Sequence, residues 1–131
     1  MGVTLSPKVR ALLEAPNFGS LATIMSDGSI HVTPVWVDHD GEHVLFNTSE
    51  GRQKLRNLRR DSRVGLAVFD MGNPYHYVSI RGHVVEMTHQ GAVEHINKLA
   101  RKYLGVDQYP YLQPGEQRVI VLIEPEHVSV S

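Results

Sequence analysis

The sequence predicts a mainly β, α+β fold: six antiparallel strands curled into a small barrel, with three helices beside it. Three observations predict it. Short runs rich in Val, Ile, Thr and Phe recur along the chain, and Asp-Gly turns separate the first three. Helical patterning is confined to three segments. The 131 residues form one domain, 1–131, with enough chain to bury most of a single core.

The elements follow in order. "SPKVRALLEAP" opens on Ser6 as N-cap with Pro7 at the first helical position, and Pro16 stops it. "FGSLATIM", "IHVTPVWV" and "HVLFNTS" are three strands of a meander, joined by the turns "SDGS" and "DHDGE". Pro34 lies inside the second strand. It cannot donate to a ladder, so that strand has an edge or a bulge there. The basic segment "SEGRQKLRNLRRDSRV" supplies a second helix. "RVGLAVFD" is the fourth strand, "MGNP" a turn and "YHYVSIRGHVVEM" a long fifth strand. "THQGAVEHINKLARKYL" is a helix opened by Thr88, and "GVDQYPYLQPGEQ" an irregular loop. "RVIVLIEP" is a final buried strand.

Composition excludes several chemistries. With no cysteine there is no disulfide, thiol nucleophile or thiolate metal site, which fits a reducing, cytoplasmic location. Thirteen basic against 14 acidic residues argue against generic nucleic-acid or membrane affinity. No apolar run is long enough to cross a bilayer, and the N-terminus lacks the apolar core of a signal peptide. G-x-S-x-G, H-E-x-x-H, Walker A and G-x-G-x-x-G are all absent. A phosphate must therefore be held by side chains or a helix N-terminus rather than by a glycine loop. Eight histidines raise the question of a metal. His39 and His43 flank one turn without a carboxylate-histidine cluster of ligand spacing, so they read as surface residues. His31, His76 and His83 fall in strands as satisfied core or interface histidines.

The basic helix carries the functional argument. Residues 49–64 hold six of the thirteen cations: Arg52, Lys54, Arg56, Arg59, Arg60 and Arg63. At 100° per residue, Arg52, Arg56, Arg59 and Arg60 share one broad sector, while Leu55 and Leu58 form an apolar stripe flanked by Lys54. A solvated face is the ordinary meaning of such a charge run. Two features point elsewhere. No acid sits at i+4 to Arg52, Lys54 or Arg56. The cations also begin at the helix N-terminus, where they oppose the macrodipole by up to ~1 kcal/mol each and where an anion is favoured.

These residues resemble a known family. The order of "GSLATIMSDGSIHVTPVWV", "LFNTSEGRQK" and "NLRRDSRVGLAVF" is similar to that of the split β-barrel flavin and deazaflavin oxidoreductases, the fold of the pyridoxamine 5'-phosphate oxidases. The nearer likeness is to the actinobacterial branch that uses the deazaflavin coenzyme F420. The resemblance covers roughly positions 5–128. It implies that Arg52 and Lys54 grip the cofactor phosphate, with Asn47, Thr48 and Ser49 adding polar groups from the preceding strand. It implies that Thr33, Pro34, Val35 and Trp36 line the ring system, and that two copies form a homodimer with cofactor sites at the subunit interface. Arg56, Arg59 and Arg60 are further expected contacts to distal anionic groups. Flavin-using oxidases place a basic residue on the second strand, where "TPVWV" has none, and this favours F420 over flavin mononucleotide (FMN).

The implied reaction is hydride transfer from reduced deazaflavin to a small electron-poor substrate, with no catalytic side chain singled out. Tyr75, Tyr77, Tyr103, Tyr109 and Tyr111 are all candidate proton donors. Two other classes stay open: an FMN enzyme or flavin carrier of the same fold, and a non-enzymatic RNA- or haem-binding module. The RNA reading lacks interleaved aromatics, since none occurs between Phe46 and Phe69. The haem reading lacks a feature that selects an axial ligand.

Overall fold

The structure, a computed structural model, describes residues 2–131. Its elements run α1 (Pro7–Glu14), β1 (Phe18–Ile24), β2 (Ile30–His39), β3 (Val44–Ser49), α2 (Gln53–Arg60), β4 (Arg63–Asp70), β5 (Asn73–Thr88), α3 (Ala92–Leu104) and β6 (Arg118–Val130). The six strands close into an antiparallel barrel in the order β1-β2-β3-β6-β5-β4. Alternate side chains of each strand fill its interior, where Leu21, Val37, Phe46, Val68, Ile80 and Val121 are buried. α1 adds Val9, Leu12 and Leu13 to the same core. Its Ser6 hydroxyl accepts from the Val9 N–H, as the cap reading requires.

One opening in this barrel matters for function. β2 pairs with β1 along Ile30–Trp36, but with β3 only from Val37 to His39. Beyond Val37 and Phe46 the two strands separate, and β3 continues against β6 through Ser49. Pro34 falls in the stretch that pairs with β1 alone, so its missing donor breaks no bond to β3. This is the edge that the sequence anticipates. At the far lip, Gly51 turns the chain at φ 93°, a left-handed value that favours glycine, and delivers α2 to the mouth of the opening. Leu55 and Leu58 bury the inner face of α2. Asn57 lies buried beside them, its amide donating to Thr23 Oγ1 at 3.0 Å and so fixing the helix on β1.

Three boundaries differ from expectation. α3 begins after Gly91, in a left-handed conformation, and not at Thr88. Thr88 ends β5 in pairing with Ile120, and its hydroxyl accepts from the Gln90 N–H in a short turn. β5 begins at Asn73, because Asn73 pairs with Asp70 across a two-residue turn. β6 runs past Pro125 to Val130. Pro125 is tolerated because it lies opposite Gly82 at a register shift in the β5–β6 ladder.

Candidate functional site

The opening between β2 and β3 forms a cleft of about 290 Å³. Its lips come from the separated strands: Pro34, Val35 and Trp36 on β2, Asn47 and Thr48 on β3. The start of α2 brings Arg52 and Lys54 to one end, and Arg118 enters from the first position of β6. Phe18, Ile96, Tyr109 and Tyr111 complete an apolar and aromatic wall.

The wall is built in layers. Trp36 stacks on Tyr103 with centroids 5.0 Å apart and planes 5° from parallel, and meets the edge of Tyr109 at 6.0 Å. Tyr109 in turn contacts Tyr111 edge-on at 5.6 Å. Tyr103 pins this stack from behind. Its hydroxyl donates to the Asn17 carbonyl at 2.6 Å and accepts from the Val37 N–H at 2.9 Å. Burial pushes its pKa up to about 12, its proton is held by the Asn17 carbonyl, and Tyr103 does not line the cleft. Tyr75 and Tyr77 do not line the cleft, so Tyr109 and Tyr111 are the two tyrosines placed beside it.

The cationic end carries more positive than negative charge. Among the described residues, neither Arg52 nor Lys54 makes a salt bridge. No side chain caps the N-terminus of α2, and no acid lies in its first turn. Burial lowers the pKa of Lys54, and the charges of Arg52 and Arg118 lower it further. Arg118 is buried, with a bond to Glu116 at 2.5 Å, and its guanidinium lies 5.2 Å from the Tyr109 ring centroid. Three positive groups thus converge against one carboxylate at the end of an aromatic cleft. An anion placed there would relieve their repulsion and accept their hydrogen bonds.

Of the residues expected from sequence, Pro34, Val35, Trp36, Asn47, Thr48, Arg52 and Lys54 line the cleft. Thr33 does not: its Oγ1, like His31 Nδ1, is buried without a hydrogen-bond partner, so His31 is not the satisfied strand histidine expected. Ser49 is buried at the end of β3, where its carbonyl accepts from the Arg52 N–H. The later arginines of α2 bond within the protein. Arg56 donates to the Gly51 carbonyl and to Gln53, and Arg60 to the Ile24 carbonyl and Asn57. Arg59 makes a two-pronged pair with Glu50 at 2.7 and 2.8 Å, and Glu50 also meets His89. Arg59 and His89 together hold the Glu50 pKa down at about 2. The sequence reading missed Phe18, Ile96 and Arg118. Arg118 had one available signal, a lone cation opening an otherwise apolar strand. It brings a third cation to the cleft, from β6.

No group of His, Asp or Glu among the described residues is arranged to hold a metal. No helix is long and apolar enough to cross a membrane. The site residues do fit an organic anion that carries a planar ring, with cations for the one part and aromatic carbon for the other.

A small antiparallel barrel, opened between two strands and cationic at one end of the opening, defines the class of flavin-type cofactor-binding split barrels. The chain belongs to the pyridoxamine 5'-phosphate oxidase family, which it matches over residues 5–131. Among solved structures it is similar to an F420 reductase, at 34% identity over 92% of this chain and 94% of the other, with a TM-score of 0.82. A conserved hypothetical protein from Mycobacterium tuberculosis is similar at 25% identity over 98% and 85% of the two chains, TM-score 0.73. General Stress Protein 26 from Bacillus anthracis shares the fold at 16% identity over 94% and 90%, TM-score 0.71.

Proposed function

We propose that this protein is a cytoplasmic oxidoreductase that binds coenzyme F420 in the cleft and reduces a small electron-poor organic substrate, an enone or quinone-like compound. The observation that carries this reading is the convergence of Arg52, Lys54 and Arg118 on one end of an aromatic cleft. The likeness to an F420 reductase over nearly the whole chain supports it. The bound reduced deazaflavin would supply a hydride to the substrate. The protein's part is to bind, orient and shield. Arg52, Lys54 and Arg118 would take the phosphodiester. Pro34, Val35 and Trp36 would set the plane of the ring, with Tyr109 and Tyr111 near enough to the same cleft to donate a proton to the reduced product. Arg56, Arg59 and Arg60 continue along α2 and would meet the more distal carboxylates, Arg59 by exchanging Glu50 for a ligand carboxylate.

The alternative is FMN in the same cleft, as an enzyme or a carrier. The absence of a cation on β2 favours F420. Titration of the purified protein with the two cofactors side by side tests the choice. Tighter binding of F420 is expected, and protein that purifies yellow with one FMN per chain and ignores F420 would overturn it.

The cleft also bears on assembly. About 290 Å³ lies at the lower end of the roughly 300–1,000 Å³ of sites that enclose a drug-sized ligand. Next to it, the outward face of β1, β2 and β4 exposes Phe18, Ile30, Val32 and Phe69. We propose a homodimer in which a second copy covers this face and closes the site. Light scattering at micromolar concentration is expected to give twice the 14.7 kDa chain mass, and a monomer would contradict the proposal.

A further inference from the structure

Asn47 lines the cleft, yet its amide is committed elsewhere. Both protons of Nδ2 are used, one on the Ala92 carbonyl at 2.9 Å and one on His95 Nδ1 at 3.1 Å. Oδ1 accepts from Arg118 Nε at 2.9 Å. His95 is nearly enclosed, its side chain 8% exposed, and its Nε2 meets Asp38 Oδ2 at 3.0 Å. Asp38 is buried, and burial alone would raise its pKa. Hydrogen bonds from His95, Lys98 and the His39 N–H outweigh that and hold it well below the usual carboxylate range.

Each link dictates the next. An ionised Asp38 only accepts, so His95 carries its proton on Nε2. Asn47 Nδ2 only donates, and its other proton goes to the Ala92 carbonyl, so Nδ1 is the acceptor and the Asn47 nitrogen stays on the His95 side. The Asn47 oxygen is thereby left facing Arg118. With the amide reversed, an N–H would oppose the Arg118 Nε–H, donor against donor. The chain spans four elements, running from Asp38 on β2 through His95 on α3 and Asn47 on β3 to Arg118 on β6.

We infer that Asp38, His95 and Asn47 form a positioning relay that aims the Arg118 guanidinium into the cleft, where Arg118 is the third anion-binding group. The inference rests on the reading of the cleft as an anion-bearing cofactor site. His95 touches no ligand and acts through Asn47. A merely structural histidine would hold α3 against β3, and its loss would change stability without addressing Arg118 in particular.

Two readouts test this. The first needs no cofactor: the Arg118 Nε–H resonance is followed by NMR in the free protein. It is expected to be protected from solvent exchange in wild type and in His95→Gln, whose amide offers both an acceptor and a donor. Protection is expected to be lost in His95→Ala. An Arg118 signal unchanged in folded His95→Ala would overturn the relay. The second is a double-mutant cycle on F420 affinity. His95→Ala is expected to weaken binding about three- to tenfold in wild type and not at all in an Arg118→Ala background. An equal loss in both backgrounds would also overturn the relay, since His95 would then act independently of Arg118. If Arg118→Ala binds F420 as wild type does, the cofactor reading of Arg118 falls and with it the relay's purpose. If wild type does not bind F420, the cofactor reading falls by itself, and the Arg118 resonance decides the relay.

Discussion

Arg52→Ala and Lys54→Ala are each expected to weaken F420 binding by about ten- to a hundredfold while leaving the fold intact. A charge-assisted hydrogen bond to phosphate contributes roughly 1.5–3 kcal/mol, and each ~1.4 kcal/mol is a factor of ten. Stability should hold because neither side chain has a carboxylate partner to lose, and because positive charge at a helix N-terminus opposes the macrodipole. For Lys54 the direction is clearer still. Its folded-state pKa lies below its ordinary value, so its charged form is disfavoured in the free protein at every pH below that pKa, and the penalty fades as pH rises through it. Removing the amine therefore relieves that penalty in the free protein at neutral pH. The same shift gives a pH signature. Affinity in wild type should fall on the alkaline side as Lys54 loses its proton, and Lys54→Met should flatten that limb. Arg59→Ala and Arg60→Ala should have smaller effects that shrink with salt, because they lie outside the cleft and already have partners. Binding isotherms at two salt concentrations, with melting temperatures measured in parallel, check the set. Equal and small losses at all four positions would return the basic helix to a solvated surface.

The largest expected effect on stability lies away from the site. Gly82 sits where the β5–β6 register shifts, opposite Pro125. A Cβ there would collide with the Glu124 carbonyl oxygen and come within 3.0 Å of its carbon and 3.2 Å of Pro125 Cα. All three are backbone atoms of the neighbouring strand, so no rotamer change relieves the clash. Gly82→Ala must push β5 and β6 apart, at a cost of about 3 kcal/mol or more, toward the upper end of overpacking effects. Melting should fall by roughly 6–12 °C or more for a domain of this size. Gly28→Ala is the contrasting case. Its φ of +86° disfavours a side chain, but nothing lies within 4 Å of the added carbon. Its cost should be near 1 kcal/mol. Thermal unfolding of the two variants distinguishes crowding from conformational preference, and a Gly82→Ala melting point as high as that of Gly28→Ala would show that the ladder can yield.

What was legible in the sequence was local. Ser6 and Pro7 start α1, the Asp27–Gly28 turn joins β1 to β2, and Pro34 marks an edge, because each acts through its own backbone or its near neighbours. The extra strand length past Pro125 was not legible, since it depends on where Gly82 makes room in another strand. The start of α3 was misplaced for a related reason. Thr88 is a sound cap by composition, but its pairing with Ile120 on β6 holds it in the sheet. At the site, Arg52 and Lys54 were visible because they cluster in one short helix. Arg118 was not, because only the barrel's closure brings position 118 to Asn47. Helical spacing likewise groups Arg59 with Arg52, although Glu50 reaches Arg59 from outside the helix, beyond any i+4 rule.

The central claim is that the cationic cluster holds the cofactor's phosphate while the aromatic wall holds its ring. The most direct test compares intact F420 with the same deazaflavin lacking the phosphodiester and tail, on wild type and on the Arg52→Ala/Lys54→Ala double variant. Wild type should prefer the intact cofactor by at least about tenfold, and the double variant should lose that preference while retaining the weaker affinity for the bare ring. Equal wild-type affinity for both compounds, or a preference that survives in the double variant, would contradict it.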